Sequence, residues 1–92
     1  MTAPTFELQA TIVNTLGLHA RPAAQLVRLA STFDAEIVVG KDGQEVNAKS
    51  IMGVMMLAAE CGSAITIRAS GPDSERAVQA LAELVAGGFG EQ

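Results

Sequence analysis

The stretch Ala35-Glu36-Ile37-Val38-Val39-Gly40-Lys41-Asp42-Gly43-Gln44-Glu45-Val46-Asn47-Ala48 decides the fold. Ala35, Ile37 and Val39 recur at every second position, the period of a strand with one buried face. Asp42-Gly43 separates this run from Gln44 to Ala48, and that dipeptide is the one a tight two-residue hairpin prefers. Two antiparallel strands are therefore predicted.

Working outward, Phe6, Leu8, Ala10 and Ile12 alternate with Glu7, Gln9, Thr11 and Val13, which predicts an earlier strand with one buried face. Asn14 to Gly17 read as a loop. From Pro22 the period lengthens: Leu26, Leu29, Ala30 and Phe33 fall at helical spacing, with Gln25, Arg28 and Thr32 left for the other side, an amphipathic helix of about three turns. Beyond the hairpin, Ser50 is a preferred N-cap type ahead of the apolar segment Ile51 to Ala59, and Gly62 is the expected stop of that short helix. Ala64 to Ser70 alternates again, with Ile65 and Ile67 on one face and Thr66 and Arg68 on the other. After Gly71-Pro72, Asp73 is the expected cap of a last helix whose stripe is Ala77, Val78, Leu81, Leu84 and Val85. Glu75 sits near its positive end and Gly87-Gly88 ends it. The order is β-α-β-β-α-β-α, and packing every apolar face at once puts the helices on one side of a single sheet. The fold class is α+β, an open-faced β-sandwich.

At 92 residues the chain suits one domain, 1–92. Apolar residues are 49% and charged residues 17%, enough to pack a core and too little charge for a disordered chain. The net charge of −4 has the wrong sign for a nucleic-acid backbone. Mean hydropathy is +0.31, yet no apolar run approaches the roughly 18 residues of a membrane span, so no membrane insertion is expected. Met1 to Gln9 has neither basic residue nor apolar core, so no secretory signal is read there and the cytoplasm is expected. Cys61 has no partner for a disulfide, and one histidine with one cysteine cannot build a zinc site; Cys61 reads as a small, partly buried residue near a helix end. Neither a metal nor a cofactor is expected.

A lone histidine is more often structural than catalytic, but the neighbours of His19 change the weighting. In Gly17-Leu18-His19-Ala20-Arg21-Pro22 it stands just ahead of a helix marked by Pro22, and positions 18 to 23 hold no Ser, Thr, Asp or Asn to cap the free backbone donors. Those N–H groups, carrying the positive end of the helix dipole, suit an anion. Ala20 and Arg21 are thus candidate phosphate binders, Arg21 adding a guanidinium. Arg28 lies two turns on; alone it reads as a solvated helix charge. From Gly17 to Phe33 there are two arginines and no carboxylate, a basic spot in an acidic chain. A neutral imidazole there is a nucleophile with a cradle for its cargo, and the chemistry suggested is phosphoryl transfer. No second acid or base is apparent near His19, and there is no Gly-rich nucleotide loop and no carboxylate pair for a metal, which suits a carrier better than a stand-alone enzyme.

The second helix is greasier than a core requires. Ile51, Val54 and Ala58 form one stripe and Met52, Met55 and Met56 another. The methionines either fill the core or form an exposed patch able to fit several partners, and the two readings stand level. Ser50 has an ordinary role as N-cap, yet a phosphate added there would be favoured by the dipole and would put about two negative charges beside the methionines. Lys49 is adjacent.

Gly17-Leu18-His19-Ala20-Arg21-Pro22-Ala23, together with Val46-Asn47-Ala48-Lys49-Ser50-Ile51-Met52-Gly53-Val54-Met55, resembles HPr, the histidine-containing phosphocarrier family of the phosphoenolpyruvate-dependent sugar phosphotransferase system. The likeness runs from about Phe6 to Val85. It implies a four-stranded antiparallel sheet in the order 1-4-2-3 with three helices on one face. It implies that His19 takes a phosphoryl group from phosphorylated enzyme I and passes it to the IIA components of sugar permeases, with Arg21 as the active-site arginine. Ser50 would be the regulatory serine that HPr kinase/phosphorylase modifies in some bacteria. Ala20, Ala24, Ile51, Met52 and Met55 would lie on the partner surface, with Arg28 and Lys49 counted among its residues. A monomer is expected. Leu16 departs from the family, many members of which carry a small polar residue three positions before the histidine, and Gly87 to Gln92 has little family likeness. The alternatives are a binding module regulated through Ser50, a paralogue in a nitrogen-related phosphotransfer branch, and, least favoured, a histidine-centred hydrolase.

Overall fold

The computed structural model describes residues 4–91. Asp42 (φ 53°) and Gly43 (φ 84°) both adopt left-handed backbone, so β2 (Glu36–Lys41) turns directly into β3 (Gln44–Asn47) with Lys41 paired to Gln44. This is the turn geometry that matches strand twist and that Asp-Gly tolerates best. β4 (Ala64–Ser70) pairs antiparallel with β2 on one side and with β1 (Thr5–Thr11) on the other, giving the sheet order β1-β4-β2-β3. Both the order and the α+β open-faced architecture agree with the expectation.

α1 (Ala20–Ala30), α2 (Ile51–Met56) and α3 (Ser74–Ala86) cover one face. Leu26 and Ala30 of α1, Ala77, Val78, Leu81 and Val85 of α3, and Ile37, Val39, Ile65 and Ile67 of the sheet form the core, each no more than 2% exposed. Leu29, Phe33 and Leu84, read as core-facing, pack against it only in part. β1 keeps the predicted alternation, since Leu8 lies opposite Ile67 and Ala10 opposite Ile65. Phe6 and Leu8 nevertheless stay 38% and 41% exposed. An edge strand has a neighbour on one side only, so its apolar residues are incompletely covered.

Three local expectations are corrected. α1 begins at Ala20, two residues before Pro22; proline is tolerated there because the N–H groups of the first turn have no intrahelical acceptor. α2 stops at Met56, well short of Ala59 and Gly62: Leu57 and Ala58 donate to Val54 and Met55 in three-residue turns, and Ala58 then takes φ 49°. Cys61 consequently lies in the following turn and is exposed, not partly buried against a helix end. Asp73 occupies the N-cap position of α3, but its side chain does not cap it. Its two carboxylate oxygens accept the N–H groups of Asp34 at 2.9 Å and Ala35 at 2.8 Å, tying α3 to the entry of β2. Asp34 N–H holds the Asp73 pKa below its ordinary value; burial opposes this, and Ala35 N–H and the Arg76 charge reinforce it.

Among the described residues no helix is long and apolar enough to cross a membrane. The segment after α3 is not a bare tail: Gly88–Gly90 form a 3-10 turn, and Phe89 is only 3% exposed.

Candidate functional site

The early end of α2 shapes the loop beneath His19. Ala59 is buried, and its carbonyl accepts the N–H of Leu18 at 2.9 Å. Gly17 passes so close that a Cβ at this position would collide with that same carbonyl oxygen, and its φ of +67° is itself left-handed. Only glycine meets both conditions without strain. Gly17 in turn accepts the N–H of His19 at 2.9 Å, and Leu18 is buried. The backbone of His19 is therefore set by contacts on both sides.

His19 is the N-cap residue of α1, in extended backbone, and its side chain makes no capping bond. Its N–H is taken by Gly17, Pro22 has none, and Ala23 donates to the His19 carbonyl at 3.0 Å to close the first turn. Among the described residues, Ala20 and Arg21 thus carry the free donors at the positive end of α1. The first turn holds no acidic residue. Ala20, Arg21 and Arg28 are exposed, and among the described residues neither arginine forms an ion pair. Arg28 lies in the last turn of α1, where a cation complements the dipole. The His19 side chain is 37% exposed.

A carboxylate missing from the sequence reading stands beside the ring. Glu91 Oε1 is 3.2 Å from His19 Nε2, and the same oxygen accepts from Asn14 Nδ2 at 3.2 Å. Asn14, 1% exposed, also donates from Nδ2 to the Gly17 carbonyl at 2.8 Å. Nothing periodic in the sequence marks Glu91. The one hint is Phe89, an aromatic side chain beyond the stop of α3, which has to be buried somewhere.

The methionines settle as a surface. Met52 is 71% and Met56 66% exposed, with Met55 and Ile51 also exposed, while Val54 alone of α2 is buried. The stripe of Ile51, Val54 and Ala58 is therefore split. α2 packs against α1, so this apolar patch belongs to the helix pair that carries His19, and Ala24 on α1 is half-buried. Ser50 is the N-cap of α2, its Oγ accepting Gly53 N–H at 3.1 Å. Lys49 is half-buried, its ammonium donating to the Phe33 carbonyl at 2.8 Å. Leu16, beside the site, is 72% exposed.

Residues 6–87 match the family model described as the PTS HPr component phosphorylation site. The chain is 52% identical over 81 residues to the phosphocarrier protein HPr of Cupriavidus necator, covering 88% of this chain and 91% of that one. It is 44% identical over 85 residues to the phosphocarrier protein NPr of Shewanella violacea, covering 92% and 93%. The crystal structure of HPr-C-His from Thermoanaerobacter tengcongensis superposes with a TM-score of 0.90 at 47% identity, over 95% of this chain and 98% of that one. An uncapped helix start behind a histidine, on this sheet and at these levels of identity, means that the chain belongs to the HPr phosphocarrier family of the phosphotransferase system.

Proposed function

We propose that His19 is the phosphoryl acceptor, taking the group from phosphorylated enzyme I and passing it to IIA components of sugar permeases. The observation that carries this reading is the position of His19 as a non-capping N-cap residue, with the N–H groups of Ala20 and Arg21 at the head of α1 meeting no acceptor among the described residues. A phosphoryl group on the ring gains from those dipoles and from the Arg21 guanidinium, which has no ion-pair partner among the described residues, at no reorganisation cost, because the loop is held in advance by Gly17, Leu18 and Ala59. The group is held reversibly: the site has to stabilise the anion without making its release costly. Exposed helix amides and a solvated arginine supply support of that moderate kind. Ile51, Met52 and Met55 offer the apolar contact for partner docking, with Ala20, Ala24, Arg28 and Lys49 around it. A single domain spanning 1–92 acting in the cytoplasm is the setting in which these partners meet. Incubation with phosphoenolpyruvate and purified enzyme I should yield an acid-labile adduct that His19→Ala cannot form; an undiminished adduct in that variant refutes the assignment.

A second level of control at Ser50 is supported by its place at the start of α2. Modification by HPr kinase/phosphorylase would replace the bond from Gly53 by a phosphate beside Met52 and Met55. Ser50→Asp should slow transfer from enzyme I; an unchanged rate and unchanged partner affinity exclude this control. The relative named NPr raises the nitrogen-related branch as the competing assignment, and comparing phosphorylation by the enzyme I of each branch decides between them.

A further inference from the structure

We infer that Glu91 is a positioning residue for His19, holding the imidazole in the tautomer that carries its proton on Nε2 and leaves Nδ1 as the nucleophile. This rests on His19 being the phosphoryl acceptor. An ionised carboxylate only accepts hydrogen bonds, so a contact of 3.2 Å from Glu91 Oε1 to Nε2 requires the proton on Nε2. Among the described residues, no hydrogen bond engages Nδ1.

Asn14 fixes the carboxylate in its turn. Its Nδ2 donates both to Glu91 Oε1 and to the Gly17 carbonyl, while its Oδ1 is buried with no partner among the described residues. Flipping the amide would set Oδ1 against two acceptors, so the orientation is determined, and the orphaned oxygen is the cost of keeping two donated bonds at this spot. The chain end is delivered by a strap. Phe89 holds φ 58°, unfavourable for a non-glycine residue, while its ring is buried; Gly88 is buried against Val13 and Asn14, and Glu91 N–H donates to the Gly88 carbonyl at 2.9 Å. A segment held this way brings one carboxylate to the ring edge on the side away from Nδ1.

In the step itself the Nδ1 lone pair forms the N–P bond as the bond between phosphorus and the phosphorylated donor protein breaks, its electron pair leaving with the donor. The proton stays on Nε2, and the positive charge that the ring acquires faces Glu91. On onward transfer the N–P electron pair returns to Nδ1, and the ring leaves neutral with its proton still in place.

The test uses the full chain with Glu91→Gln, Glu91→Asp and Phe89→Ala, each checked for a native amide spectrum. Imidazole nitrogen NMR reports the tautomer of His19 without any phosphoryl donor, and phosphorylation by enzyme I reports the rate. Losing a charge-assisted bond should shift the tautomer ratio and lower the rate by about tenfold each in Glu91→Gln. Phe89→Ala, which frees the strap, should behave alike, and Glu91→Asp should restore part of both. An unchanged tautomer ratio in Glu91→Gln overturns the proposal, and so does an altered ratio with an unchanged rate. A wild-type protein that takes no phosphate on His19 while showing the Nε2–H tautomer would instead overturn the acceptor assignment.

Discussion

Gly17→Ala probes the joint between fold and site. Two costs are separable at this position. Left-handed backbone costs an L-residue roughly 1–2 kcal/mol, and φ at Gly17 is +67°. The added methyl also collides with the Ala59 carbonyl oxygen, so the loop has to withdraw and the bond from Leu18 N–H, 2.9 Å long, is stretched or lost. That adds roughly 1–2 kcal/mol because both ends are buried. Gly43→Ala isolates the first cost, since φ there is +84° but nothing lies within 4 Å of the added carbon. The expected losses are about 3 kcal/mol for Gly17→Ala and about 1 kcal/mol for Gly43→Ala, or about 15 °C and about 5 °C in Tm for a domain of this size. Urea and thermal unfolding measure both. Gly17→Ala should in addition slow phosphorylation under conditions where it remains folded, because Gly17 holds the His19 backbone, whereas Gly43→Ala should not. Equal destabilisation by the two variants, or a Gly17→Ala protein with wild-type transfer kinetics, refutes the close approach to Ala59 as the origin of the effect.

Four further outcomes follow from named contacts. Val54→Ala removes the one buried side chain of α2 and should cost roughly 2 kcal/mol in urea unfolding. Met52→Lys, at a position 71% exposed, should leave Tm unchanged within about 3 °C while weakening transfer between partners, as measured by steady-state kinetics. Ser50→Ala should lose about 1 kcal/mol through the missing cap on Gly53 N–H. The Asp73 carboxyl is held below its ordinary value in the folded state, so its contribution to stability is complete above the unfolded pKa of about 3.8 and fades as pH falls through the folded one. Asp73→Asn should lower stability at neutral pH and flatten the acid limb of a stability-against-pH curve.

Much of this molecule was legible in its residues because the physics concerned was local. Asp42-Gly43 demands a two-residue turn, period-two alternation demands a face, and the lack of any capping side chain from 18 to 23 leaves the head of α1 open. The misses are tertiary. Asp73 looks like a cap by type, but the N–H groups of Asp34 and Ala35 compete for its carboxylate, and no local pattern reports that approach. Ala58 ends α2 without a glycine because the chain has to bring Ala59 under the His19 loop. Composition left the methionines undecided between core and surface; α3 covers β1 and β4 while α2 reaches the sheet chiefly at β3 and packs beside α1, so α2 keeps only Val54 inside. Glu91 sits 72 positions from His19 in sequence, and only the return of the strap brings the two together.

The most direct test of the account is to locate the phosphate on the protein after reaction with phosphoenolpyruvate and enzyme I, by phosphorus NMR and by tandem mass spectrometry under alkaline conditions. The result expected is one phosphoryl group on a ring nitrogen of His19, lost in acid and transferable to a IIA protein. An acid-stable phosphate elsewhere in the chain, with the His19 ring unmodified, contradicts it.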